Sequence, residues 1–108
     1  MVIIGLLGKS YPIMTEFLID AYRFQIVQCD KHNICYTLTE ISSMIETGST
    51  MIFVDNIVTL KQYRALRFYF GCAIIQLGEL EDRRMKPDYF IDKPGNGIEI
   101  RSIISDFL

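Results

Sequence analysis

The chain reads as a small α/β domain, a five-stranded, mostly parallel sheet in three layers with helices on both faces. Three observations predict this. Short apolar runs at Val2 to Leu7, Met51 to Val54 and Ala73 to Leu77 have the pattern of strands buried on both faces. Between them, apolar residues recur at helical spacing. The two patterns alternate, which is how parallel sheets with crossover helices are built. The chain has 108 residues, half of them apolar, so a single domain over 1–108 with one core is expected.

Each element has a local reason. Val2 to Leu7 is rich in β-branched residues and forms the first strand. Gly8 and Lys9 make a tight turn. Ser10 caps a helix from about Tyr11 to Arg23, and Pro12 fits its first turn, where amide donors have no partner. Ile13, Phe17 and Ala21 repeat at i+4, as do Met14, Leu18 and Tyr22, giving one broad apolar face. Gln25 to Cys29 is a short second strand, and Asp30 to Tyr36 a polar loop.

Thr37 and Glu40 fit a capping box, with Leu38, Ile41 and Ile45 as the stripe of a second helix ending at Gly48. Met51 to Val54 is the third strand and ends at Asp55. Thr59 and Gln62 make another capping box for a third helix, which runs to about Phe70 and stops at Gly71. Ala73 to Leu77 is the fourth strand. Glu79 to Lys86 is charged, and Pro87 closes it. Tyr89 to Ile91 is a short fifth strand. After a turn at Pro94 to Gly97, Ile100, Ile103, Ile104 and Phe107 mark a final amphipathic helix.

The bulk numbers exclude some classes. A formal net charge of -2 argues against nucleic acid as the main partner, because phosphate binding needs a basic excess. The N-terminal apolar run is too short to span a bilayer and lacks a basic leader or a cleavage site, so no membrane role is expected and the cytoplasm is the expected location. Cys29, Cys35 and Cys72 are odd in number without framework spacing, which points to reduced thiols. Cys29, His32 and Cys35 have zinc-like gaps and would need a fourth ligand such as Cys72. The simpler reading, incidental closeness and no metal, is favoured.

Three stretches carry a family likeness. They are Ile4-Gly5-Leu6-Leu7-Gly8-Lys9; Phe53-Val54-Asp55-Asn56-Ile57-Val58 with Tyr63-Arg64-Ala65-Leu66-Arg67 and Gly71; and Asp88-Tyr89-Phe90-Ile91-Asp92. In this order the chain resembles the P-loop nucleotide kinases, most of all the bacteriophage-type deoxynucleoside monophosphate kinases. The resemblance implies a strand order of 2-3-1-4-5 with the first strand central, and ATP with magnesium as ligands.

The chain departs from that family at the residues that handle phosphate. A working loop reads GxxxxGK followed by Ser or Thr, long enough for its amides to curl around a phosphate. Gly8-Lys9-Ser10 is present, but Ile3 stands where the first glycine belongs, and Pro12 removes an amide donor near the helix start. Asp55 matches the first acid of the family's acidic pair, and Asn56 replaces the second. Val58 stands in place of the phosphate-contacting arginine. Phosphoryl transfer depends on positioned positive charge, so these losses weigh against an enzyme. The segment between the fourth and fifth strands is too short for a full lid, and its Arg83 and Arg84 read as solvated charges rather than lid remnants.

The third helix carries Tyr63, Phe68, Tyr69 and Phe70 around much of its circumference. Tyr63, Leu66 and Phe70 are expected to face the core, which leaves Phe68 and Tyr69 unable to share the same sheet. Arg64 and Arg67 lie three apart on one face. Aromatics beside arginines have the composition of a protein-binding hot spot. The plainer reading packs Phe68 under a loop and leaves the arginines solvated.

Two functions remain open. In the first, a pseudoenzyme stripped of its loop, arginine and lid binds another protein without a cofactor, through Arg64, Arg67, Phe68 and Tyr69. From the kind of genome that carries such kinases, it would be phage-encoded and would regulate or inhibit a host protein in the host cytoplasm, for example a nucleotide-dependent DNA replication factor. In the second, a minimal nucleotide-binding protein or deoxynucleoside monophosphate kinase uses Lys9, Ser10 and Asp55 with ATP and magnesium. A homodimer is compatible with either, because a domain this small gains by burying further apolar surface.

Overall fold

A computed structural model describes residues 2–7, 24–28, 39, 50–55, 58–71, 73–80, 82–92 and 97–107. The fold is mixed α/β with a parallel sheet. Its elements are β1 (Val2–Leu7), β2 (Phe24–Gln28), β3 (Thr50–Val54), α1 (Leu60–Phe70), β4 (Ala73–Leu77), β5 (Tyr89–Ile91) and α2 (Gly97–Phe107). Every pairing between these strands is parallel. The expected helices at 11–23 and 37–48 lie outside the described residues, apart from Thr39, which is helical and exposed.

The expected strand order, 2-3-1-4-5, is not the one found. The strands run β2-β1-β3-β4-β5. β1 lies between β2 and β3 rather than at the centre, and β3 takes the middle position. The correction has a physical reason. The β3–α1–β4 unit is short, with only Gly71 and residue 72 between helix and strand. It sets β4 directly beside β3, where Ile52 pairs with Ile74 and Phe53 with Ile75. Consecutive elements most often settle as neighbours. Both edges of β1 are already taken, by β2 and β3.

The core sits on both sides of the sheet because alternate residues of a strand point to opposite faces. On one side Ile4, Leu6, Ile52, Val54 and Ile74 pack with Tyr63 and Leu66 of α1. On the other, Ile3, Met51, Phe53, Ile75, Leu77 and Ile91 pack with Ile100, Ile103 and Ile104 of α2. β1 and β3 are therefore buried on both faces. This is why their sequences read as unbroken apolar runs rather than as alternation.

α1 forms where its caps are written. Thr59 Oγ1 accepts from the Gln62 amide at 3.3 Å, and Gln62 Oε1 accepts from the Thr59 amide at 2.9 Å. Two otherwise orphaned donors are satisfied reciprocally. The helix ends at Gly71, whose φ of 57° places it in the left-handed region, where a side chain would be strained.

Among the described residues no crossover helix joins β4 to β5. Residues 83 and 84 of that connection form a turn, and its other described residues are bends or irregular. Met85 is buried from this segment into the core beneath α1, with Leu80 partly buried beside it. Among the described residues no helix is long and apolar enough to cross a membrane.

Candidate functional site

α1 has an inner and an outer face, set by its 3.6-residue period. Tyr63 and Leu66 are buried inward, while Lys61, Arg64 and Phe68 are exposed outward. Phe68 is 83% exposed, so it does not pack under a loop. Burying a phenylalanine is worth about 1.5–3 kcal/mol, and the fold leaves most of that unused here. The side chains of Tyr69 and Phe70 lie outside the described residues.

Arg67 has a different part. Its Nη1 donates to Asp88 Oδ2 at 2.8 Å and its Nη2 to the Lys86 carbonyl at 2.5 Å. Asp88 Oδ2 also accepts from the Ile74 amide at 2.8 Å, and the Asp88 amide donates to the Ile74 carbonyl at 2.9 Å. One carboxylate thus ties α1, the start of β4 and the entry to β5. The guanidinium lies 5.8 Å from the Tyr63 ring centroid, within cation–π range. Arg67, expected as a binding residue, holds the connection against the helix.

Tyr63 is buried, and its hydroxyl meets no partner within hydrogen-bonding geometry among the described residues. Burial pushes the phenol pKa up, and the nearby Arg67 charge pulls it partly back. The connection has a second clasp. Asp82 accepts from Arg84 through the backbone amide at 2.9 Å and through both Nε at 3.1 Å and Nη2 at 2.8 Å. These bonds with Arg84 lower the Asp82 pKa to about 2, and Arg64 contributes in the same direction. Arg83 and Lys86 are exposed on the same connection.

Sequence reasoning missed Met85. Glu79 to Lys86 is charged except for Leu80 and Met85, and those two apolar residues were the signal that the segment also supplies core. Phe90 was missed as a surface residue. It lies between Tyr89 and Ile91, which face α2, and so belongs to the α1 side of β5, where it is 48% exposed.

The nucleotide-binding candidates divide. Lys9 and Ser10 lie outside the described residues, as do Asn56, Cys29, His32, Cys35 and Cys72. Asp55 is 1% exposed at the carboxyl end of β3. Its amide donates to the Leu6 carbonyl at 3.3 Å, and its carbonyl accepts from the Val58 amide at 3.4 Å. Val58 is buried in the core under α1. In an open parallel sheet, ligands bind outside the carboxyl ends of the strands, at the point where the strand order reverses. Here that point lies between β1 and β3, beside Asp55. Among the described residues no cluster of His, Cys, Asp and Glu could hold a metal ion.

Comparison with protein-family models, with curated proteins and with solved structures finds no match, so the kinase likeness stands on the quoted residues alone.

Proposed function

We propose that the chain is a non-catalytic protein-binding domain whose contact surface is the outer face of α1. The observation that carries this reading is Phe68, 83% exposed one turn beyond the exposed Arg64, with Lys61 exposed on the same helix. Large aromatics beside arginines are enriched in binding hot spots. The Arg67–Asp88 clasp supports the reading by holding the neighbouring connection against the helix, so the surface is pre-formed. On the kinase resemblance, the chain is a phage-encoded regulator or inhibitor acting in the host cytoplasm, and its partner is a host protein such as a nucleotide-dependent replication factor.

Affinity capture from a host lysate tests this. Phe68→Ser and Arg64→Ala should each lose a protein that the wild type retains, without a change in melting temperature. If both variants capture the same proteins as the wild type, this surface is not the interface.

One observation favours a second reading. Asp55 lies at the switch point between β1 and β3, where an α/β sheet holds its ligands. With Lys9 and Ser10, which follow β1 in sequence, it would form a minimal site for ATP and magnesium. At a hundredfold excess over Kd, such a ligand would stabilise the native state by about 2.7 kcal/mol. A thermal shift with ATP or dTMP and magnesium that disappears in Lys9→Ala would establish that reading in place of the first.

A further inference from the structure

We propose that the segment of the partner that contacts α1 is acidic and carries one apolar side chain that seats against Phe68. This rests on the protein-binding reading above and adds the partner's chemistry to it.

The charge of the chain is divided. Residues 59–88 carry six Lys and Arg against four Asp and Glu, whereas the rest of the chain carries five against nine. Within the basic segment two of the acids are already engaged, Asp88 with Arg67 and Asp82 with Arg84. Lys61, Arg64, Arg83 and Lys86 are exposed and form no ion pair among the described residues. Lys61 and Arg64 lie three apart on the exposed face of α1. Arg67 donates to the Lys86 carbonyl, which sets the end of the connection, with Lys86, against the helix. Phe68 lies one turn beyond Arg64 on the same face.

An exposed aromatic on a cationic face complements an apolar side chain flanked by carboxylates. A nucleic acid is the other polyanion such a surface could meet. Binding to its phosphates needs a row of cations without carboxylates among them, and binding to its bases needs successive aromatics. Here exposed Glu79 and the half-buried Asp82 lie on the same connection, and Phe68 is a single exposed ring among the described residues of α1.

The test is fluorescence anisotropy with a labelled Glu-rich peptide carrying one central Phe, its Gln-rich isostere, and an oligo-dT of similar length. The wild type should bind the Glu peptide, more weakly as salt rises, and should leave the Gln peptide unbound. Replacing Lys61 or Arg64 by Gln should weaken binding roughly two- to fivefold each. Phe68→Ser should weaken it at least about tenfold. Circular dichroism melts of each variant should match the wild type.

Equal binding of the Gln peptide, or no binding of the Glu peptide, overturns the proposal. Tighter binding of oligo-dT replaces it with a nucleic-acid surface. A concentration-dependent dimer in sedimentation that is lost in Phe68→Ser replaces it with a second copy of the chain. The lysate capture separates the two levels. If a partner depends on Phe68 while the peptide result is negative, the acidic chemistry is wrong and the protein-binding reading stands. If no captured protein depends on Phe68, both fail.

Discussion

Arg67→Met should destabilise the fold by about 2 kcal/mol. Methionine keeps the aliphatic stem against the helix and removes only the guanidinium. Three contacts then disappear. The ion pair with Asp88 is partly solvated, with side-chain exposures of 35% and 38%, so it is worth about 0.5 kcal/mol after screening. The charged bond to the Lys86 carbonyl adds about 1 kcal/mol. The cation–π contact at 5.8 Å adds about 0.5 kcal/mol. In a chain of this size the total lowers Tm by roughly 10 °C. Urea denaturation should show a lower midpoint with an unchanged m-value. Arg67→Lys keeps the charge but not the planar fork, so it should lose about half as much. Asp88→Ala strands the Ile74 amide as well, so it should cost at least as much as Arg67→Met. An Arg67→Met variant within about 0.5 kcal/mol of the wild type would refute the clasp. The irregular connection would then be held by Met85 and Leu80 alone.

Three further outcomes follow from local geometry. Gly71→Ala should cost about 1 kcal/mol in urea denaturation; an added Cβ meets nothing within 4 Å, so the cost is backbone strain at φ 57° and not a clash. Tyr63→Phe removes a buried hydroxyl that has no partner among the described residues and should be neutral or stabilising by up to about 1 kcal/mol. In the wild type, one of the six tyrosines should ionise later than an ordinary phenol in an absorbance titration. Its raised pKa means that the stability it contributes is present below pH 10 and is lost as pH rises through the folded value. Asp82 has a depressed pKa of about 2. Its contribution is therefore present above the ordinary carboxylate range and is lost as pH falls from about 4 towards 2. Carbon-detected NMR of its carboxyl should give that midpoint, and Arg84→Gln should return it to the ordinary range.

The elements were legible where their signals are local. The bounds of α1 are written in Thr59, Gln62 and Gly71, each of which acts within a few residues of itself. The same holds for β4 and β5, short apolar runs closed in the sequence by Gly78 and by Pro94 and Gly95. The role of Arg67 was not legible, because its partner Asp88 is 21 residues away and nothing local pairs them. Spacing on the helix placed Arg67 beside Arg64 as a surface cation; folding brings Asp88 under it instead. Phe68 was legible only as a conflict, since two adjacent aromatics cannot both face one sheet. The structure resolves it by exposing Phe68.

Strand order was the least legible feature, because the alternation of strands and helices is the same for many orders. The order expected here came from the kinase likeness, not from the residues. With β1 between β2 and β3, the opening strand keeps one neighbour that matters to a ligand site, the strand ending in Asp55, and lacks β4 as the other. The carboxyl end of β1 lies beside that of β3, where Asp55 stands, and the connection from β4 turns back through Met85 and Asp88 to α1. The two candidate regions thus depend on different parts of the chain. On the nucleotide reading the ligand would rest on the carboxyl ends of β1 and β3. On the protein-binding reading the β4–β5 connection and its clasp would present the basic aromatic face of α1. Arg67→Met should loosen the second without touching the first, so a variant that lost nucleotide-induced stabilisation along with partner capture would show that the two regions are coupled.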